Sequence, residues 1–448
     1  MTETYWLIFV LLVSVLFIIL GTTKLKLHPF IVLLFASYLA GAMAGLPIQQ
    51  IATTIATGFG NIMAYIGIVI ILGTIIGVIL EKSNAAIKLA EIVLKLVGKR
   101  FPALAMSIIG YIVSIPVFCD SAFIILSSLK KSLVHKTGKS SVALSIALAS
   151  GLYATHTFVP PTPGPIAAAG NLGLENQLGL VILFGLMVAA FAMLTGYLWA
   201  SYVGKKYITA EDIPGEAQIT ESELILPSAI KSLMPILVPI ALIAIRSIAI
   251  YPTQPFRGGF LFAFFNFTGQ PVNALFVGFL LSFLLFPKFN KETLTGWISD
   301  GITAAAPILL ITGAGGAFGT ILKEAQIGEI LGNLLAEYQL GIFLPFIIAA
   351  AFKTAQGSST VALVATSAII APLLSTIGLD SLNGKVLAVM ATGAGAMTIS
   401  HANDSFFWVV TQFSGMDVKT GYKTHTMATL IQGISSMVFI YCLTLIFI

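Results

Sequence analysis

The chain has 448 residues, 57% hydrophobic and only 9% charged, against roughly 25% charged content in soluble domains. A bitopic receptor, a secreted enzyme and a disordered regulator are excluded, and about 255 apolar residues set a ceiling near a dozen helical spans at about 20 residues each. The net charge of +5 gives no case for a nucleic-acid partner, because in a membrane protein the placement of charge matters more than its sum.

Taken in chain order, runs such as Leu7–Leu20 and Ile66–Leu80 are continuously apolar, so the spans are helices rather than alternating barrel strands. Glu3 precedes Tyr5–Leu20 with no basic n-region or small-residue cleavage site, and this segment is expected to remain as the first span. Crossings are expected near residues 5–21, 29–46, 61–80, 140–170 and 177–203, then near 229–250, 271–287, 302–322, 384–414 and 425–447. Segments 101–134 and 341–378 are interrupted centrally, by Cys119-Asp120-Ser121 and by Lys353–Thr360. Their halves are short for a crossing and suit two re-entrant hairpins. Residues 84–99 and 324–338 read as amphipathic helices at opposite interfaces, and the polar stretch 204–228 reads as a cytoplasmic linker.

The basic residues orient this layout. With Lys24 and Lys26 inside, 18 of the 23 Lys and Arg residues fall on the cytoplasmic side, where Lys and Arg gather. The first hairpin then enters from the cytoplasm, the second from outside, and both termini lie outside. Gly77-Val-Ile-Leu-Glu-Lys-Ser-Asn84 recurs as Gly319-Thr-Ile-Leu-Lys-Glu-Ala-Gln326, and Thr155-His156 as Ser400-His401. These matches indicate duplication into residues 1–203 and 229–448. Five crossings per half make the copies inverted, a feature of secondary transporters.

Irregular backbone inside a bilayer must be covered by protein or line a water-filled cavity, so the broken segments locate the chemistry. Four are visible. The first hairpin tip carries Asp120 and Ser121. The run Thr155-His156 through Pro160, Pro161, Thr162, Pro163 and Pro165 interrupts crossing 140–170, because proline removes amide donors and clashes with the preceding turn. The helix should stop near His156 and restart near Pro165. The second hairpin tip carries Lys353, Gln356, Ser358, Ser359 and Thr360, a setting for an anion at a helix N-terminus. The last break holds Ser400, His401, Asn403, Asp404 and Ser405. Asp120 and Asp404 are the candidate proton carriers, since a carboxyl at membrane depth costs about 2.5–3.5 kcal/mol and needs a partner or a function.

Other signals are set aside. Gly313–Gly319 lies within an apolar crossing and reads as close helix packing. His28, His135 and His425 are expected to be solvated, and Arg246 to snorkel. Cys119 and Cys442 support neither a disulfide nor a metal site, and no cofactor is implied. No nucleotide loop or serine-hydrolase elbow occurs, so an enzyme is not expected.

The blocks His156-Thr-Phe-Val-Pro-Pro-Thr-Pro-Gly-Pro-Ile-Ala-Ala-Ala169, Gly315-Gly-Ala-Phe-Gly319, Ala355-Gln-Gly-Ser-Ser-Thr-Val-Ala362 and Ser400-His-Ala-Asn-Asp-Ser405 resemble the signature blocks of the gluconate permease family. The resemblance runs through both halves. It implies an all-α polytopic fold with elevator-type scaffold and transport domains, within the ion transporter superfamily. It also implies a multi-pass protein of the bacterial inner membrane, surrounded by lipid and homodimeric by analogy. The function implied is proton-coupled uptake of a small organic anion such as gluconate, a related sugar acid, glycerate or D-serine. The chain departs from the family pattern at Thr162 and Lys353, where a second histidine and an arginine often stand. A sodium-coupled carboxylate transporter would share the architecture, and a passive facilitator would need no coupling acid.

Overall fold

A computed structural model describes residues 2–97, 101–212, 226–249, 259–326, 340–401 and 404–448, and among them every regular element is helical. The first half contains α1 (Thr2–Thr23), α2 (Pro29–Met43), α3 (Ile48–Ile62), α4 (Ile68–Lys82), α5 (Ala85–Val97), α6 (Pro102–Val113), α7 (Cys119–Thr137), α8 (Ser141–Phe158), α9 (Pro163–Asn171) and α10 (Leu178–Val203). The second contains α11 (Ala229–Ala249), α12 (Phe260–Thr268), α13 (Pro271–Ser282), α14 (Trp297–Glu324), α15 (Phe343–Gln356), α16 (Ser359–Ile370), α17 (Leu382–Met397), α18 (Ser405–Gln412), α19 (Val418–Gly421) and α20 (Met427–Phe447).

Local chemistry sets many of these boundaries. Proline occupies the first turn of α2, α6, α9 and α13, where its missing N–H is no loss. Ser140, Ser358 and Ser381 accept a backbone N–H in the first turn of α8, α16 and α17, as N-caps do. Gly138 and Gly357, at φ +61° and +89°, end α7 and α15 in the left-handed conformation that glycine adopts without strain.

Both interrupted segments 101–134 and 341–378 form helix–turn–helix hairpins, α6–α7 and α15–α16. The break after His156 falls at Phe158, and the chain resumes at Pro163. The helices that hold the expected third and eighth crossings start earlier than the hydropathy places them. α3 and α4 join through a π turn, Met63–Gly67, into one helix from Ile48, and Glu292–Gly296 is a π turn that leads into α14. Polar Gln49, Gln50, Thr53 and Asn61 lie in α3, and this amphipathic start is what an apolar-run reading passes over. α5 bends 77° away from α4. The second amphipathic segment lies, from residue 327 on, outside the described residues. Among the described residues, five segments have the length and composition of a membrane span, Ser141–Asn171, Glu175–Val203, Ala229–Arg246, Glu292–Glu324 and Val418–Phe447, and the bent pairs Ile68–Lys82 with Ala85–Ile92 and Phe260–Thr268 with Pro271–Leu285 bring the number to seven if each is one span.

The core centres on α8, buried along its whole length except Ala143. It crosses α6 so tightly that a Cβ on Gly151 would stand 2.0 Å from the Ser107 carbonyl oxygen, and one on Gly110 2.5 Å from that of Leu148. α14 packs along α2, α3 and α4. Gly316 faces Ile62 and the Gly58 carbonyl, and Gly315 faces Val364, so the glycine run serves helix packing. Arg246 is held rather than free, donating to the Asn176 carbonyl at 3.1 Å and to Asn266 Oδ1 at 3.3 Å.

The first residues after α10 are also fastened. Lys130 on α7, 0% exposed, donates to Glu211 Oε2 and to the Phe413 carbonyl, both at 2.8 Å. The Ser141 hydroxyl donates to Glu211 at 2.5 Å, and Asp212 accepts the N–H groups of Ser141 and Thr209 at 2.6 and 2.7 Å. Burial pushes the Glu211 carboxyl up. The ammonium of Lys130, the hydrogen bonds from Lys130 and Ser141, and Lys131 outweigh it and hold the group below its ordinary 4.5.

Two predictions follow from packing and charge. Gly151→Ala meets backbone that cannot yield and should cost about 1–3 kcal/mol or more. Gly60→Ala, with nothing within 4 Å, should be neutral or stabilise by about 0.4–1 kcal/mol; thermal unfolding in detergent reads both. Because the Glu211 pKa is lowered in the folded state, its contribution is present above the ordinary 4.5 and is lost as pH falls through the depressed value. The gap in melting temperature between wild type and Glu211→Gln should therefore be constant near neutrality and close in acid.

Candidate functional site

Both hairpin tips, the last turns of α8 and the last break line one cavity of about 310 Å³. The tip of the first hairpin contributes Phe118, Cys119 and Asp120, and α8 contributes Tyr153 and His156. The second hairpin contributes Gly357, Ser358, Ser359 and Thr360, and the last break contributes Asp404, Ser405 and Phe406. Helices α7, α16 and α18 all begin at this cavity. Each presents first-turn N–H groups that have no partner within the helix, together with the positive end of its dipole. Such convergence favours an anion.

The two acids differ in what surrounds them. Asp404 Oδ2 accepts the Lys353 ammonium at 2.6 Å and the Ser400 hydroxyl at 2.5 Å, while Oδ1 caps α18 by accepting the Phe406 N–H at 3.1 Å. Lys353, 0% exposed, also donates to the Gly357 carbonyl and lies 5.5 Å from the centre of the Tyr153 ring. Asp404 is therefore a counterion whose two oxygens are both engaged. Asp120 Oδ2 accepts the Ser405 hydroxyl at 3.2 Å, and its Oδ1 is buried without a hydrogen-bond partner. Among the described residues, no cation is paired with Asp120.

A second layer holds Asp404. His425 Nε2 contacts Ser400 Oγ at 3.1 Å; the N–H donates, since the Ser400 hydroxyl proton is directed to Asp404. His425 is 1% exposed, which corrects the solvated position expected for it. A π turn, Tyr422–Thr426, carries it inward between α19 and α20. His28 is exposed and accepts the Phe30 N–H, and the His135 side chain lies outside the described residues.

The remaining sequence-predicted residues divide clearly. His156 lines the cavity, stacked on Tyr153 with ring centres 6.4 Å apart, and its Nδ1 has no partner. Ser358, Ser359, Thr360 and Ser405 line it as well. Ser400 and Lys353 stand behind Asp404. His401 donates to the Thr354 carbonyl at 2.9 Å, tying the last break to the second hairpin. Thr155 bonds back to its own helix at Gly151 and Leu152, and Thr162 donates to the Val159 carbonyl in a separate crevice beside Pro116. Ser121 sits in the first turn of α7 and Gln356 at the end of α15; their side chains, and all of Asn403, lie outside the described residues. The sequence reading passed over Phe118, Cys119, Tyr153 and Phe406 as lining groups. Aromatic residues in apolar helices carry no signal that separates a cavity wall from core.

A larger cavity of about 450 Å³ lies between α3, α9, α14 and α16 and is lined by none of the predicted site residues. Breaking a buried ion pair by removing one partner costs about 3–5 kcal/mol, whereas neutralising both members costs far less. Lys353→Met and Asp404→Asn should each lower thermal stability in detergent by that order, with the double variant recovering much of the loss.

The chain is similar to known membrane transport proteins. The family model described as GntP family permease matches residues 6–446. The chain is 32% identical to a gluconate permease of Pseudomonas aeruginosa, covering 100% of this chain and 99% of that protein. It is 32% identical to the D-serine transporter DsdX of Escherichia coli, covering 100% of each, and 35% identical to an uncharacterised permease of Haemophilus influenzae, covering 91% and 86%. The crystal structure of the Alcanivorax borkumensis YdaH transporter shares the fold, with a TM-score of 0.60 over 90% of this chain and 89% of that one at 15% identity. The named relatives are permeases and transporters rather than enzymes. The chain belongs to the GntP permease family.

Proposed function

We propose that this chain is a secondary active transporter of the bacterial inner membrane that couples entry of a small organic acid to a proton. The substrate is of the gluconate, glycerate or D-serine class. The observation that carries this reading is the 310 Å³ cavity at which three helices begin and where Asp120, in the first turn of one of them, keeps one oxygen unpartnered. The substrate carboxylate takes the amides at the starts of α7 and α16, with hydroxyls from Ser358, Ser359, Thr360 and Ser405 around it. Asp120 takes the proton, because Asp404 is already committed to Lys353. Protonating Asp120 removes a negative charge beside the arriving anion, so proton and substrate favour one another.

Residues 1–203 and 229–448 form two inverted repeats in this reading, with ten crossings, two hairpins and a linker between. Equivalent crossings support the duplication: Gly395 on α17 approaches the Phe346 carbonyl on α15 as closely as Gly151 approaches that of Ser107, at 2.2 and 2.0 Å for an added Cβ. Contacts are reciprocal between halves, with α2 against α14 and α13 against α4. An unequal register supports an elevator-type shift. Gly77 on α4 meets the hairpin tip at Pro116, whereas its sequence counterpart Gly319 on α14 meets Ala368, ten residues beyond the turn at Ser358. That difference corresponds to about 15 Å of helix.

Transport into proteoliposomes tests the proposal. For one proton per substrate, a gradient of one pH unit supports about tenfold accumulation, abolished by an uncoupler. A monoanion would move without net charge, while a zwitterion would respond to membrane potential as well. Asp120→Asn should lose gradient-driven accumulation yet retain substrate exchange. Accumulation that follows sodium and ignores protons, or persists unchanged in Asp120→Asn, would reject the assignment.

A further inference from the structure

We propose that Lys130 and Glu211 are positioning residues that hold α7 and α18 in register, so that Asp120 and Ser405 meet at the cavity. The inference rests on the reading of that cavity as the transport site. The two helices come from opposite halves of the chain and run away from the cavity side by side. At the near end they are joined by the 3.2 Å hydrogen bond from Ser405 to Asp120. Phe123 and Phe406 pack edge to face between them, with ring centres 6.2 Å apart. At the far end Lys130, ten residues along α7 from Asp120, reaches Phe413 and Ser414, which follow directly on α18.

The far joint is built with unusual completeness. The ammonium has three hydrogens, and it meets three acceptors from two separate parts of the chain: Glu211 Oε2 and the Phe413 carbonyl at 2.8 Å, and Ser414 Oγ at 3.5 Å. Glu211 in turn binds Ser141 at the start of α8 and Lys131 at 3.4 Å, and Asp212 caps the same start. Thr209–Asp212, the opening of what reads in sequence as a plain linker, thus ties α7, α8 and the end of α18 into one body. A buried ammonium costs several kcal/mol to desolvate, and an apolar side chain of similar volume is often as stable. What the apolar side chain lacks is direction. A lysine with all three donors placed fixes how far α18 stands along α7, which non-directional packing alone does not.

A merely structural role and a positioning role separate in the double variant Lys130→Met/Glu211→Gln, where no charge is left buried alone. Spin labels at the exposed positions Ile124 and Gln412, introduced as cysteines in a Cys442→Ser background with Cys119 buried, report the α7–α18 separation in the full-length protein. Glu211→Gln and the double variant should broaden this distance distribution. They should raise the KM for substrate exchange about tenfold with little change in maximal rate, while the double variant melts closer to wild type than either single one. If the double variant keeps the wild-type distance distribution and KM, or if melting temperature alone changes, the pair is structural and the proposal fails. Should the wild type transport none of the acids offered, the distance measurement still decides the joint, and the failure belongs to the transport assignment.

Discussion

A backbone amide or carbonyl facing hydrocarbon has no water to bind, and everything else in this molecule is arranged around that constraint. Each interrupted helix frees several such groups. Interruptions scattered through the lipid would be costly, whereas both hairpin tips and the last break, gathered with the end of α8 around one polar cavity, leave N–H groups available to a ligand. The fold is the device that gathers them. The chain breaks after α8 and after α17, the hairpins α6–α7 and α15–α16 bring their tips to the same cavity, and glycine-lined helix crossings remove the side chains that would keep them apart.

Charge follows from the same economy. Lys353 on the second hairpin and Asp404 on the last break neutralise one another in the interior, and Lys353 also binds the hairpin's own turn at Gly357. One ion pair therefore closes a hairpin, caps a helix and leaves Asp120 as the acid whose environment is incomplete. The two carboxylates differ in their neighbours: a cation, a hydroxyl and an amide around the first, a single hydroxyl at 3.2 Å beside the second.

Much of this was legible in the sequence. Prolines at 160, 161, 163 and 165 and the polar run at 400–405 mark the breaks, because the bilayer tolerates such residues only where protein or water covers them. The helix–turn–helix segments declare themselves by polar residues that divide an apolar run into two short halves. The remainder depends on contacts between distant parts of the chain. Tyr153 and Phe406 meet across 253 positions, and no local pattern announces it. His425 sits near a span end among Lys419 and Lys423 and reads as solvated; only the packing of α19 and α20 against the last break turns it inward. Helix α3 escaped because half of its surface is polar, and hydropathy alone weighs that as loop. Thr155 and Thr162 share a motif with His156, but helical geometry sends their hydroxyls to carbonyls of their own segments.

The π turn at Tyr422–Thr426 holds one residue more than a regular helix would use. Deleting a residue there would leave the local hydrogen bonding intact, since an ordinary turn could close in its place. The segment on one side would nevertheless rotate by about 100° relative to the other, and His425 would leave Ser400. Changes of chain length at this point are thus more dangerous to the site than changes of side chain, and natural variation among functional copies should preserve spacing here even where it alters composition.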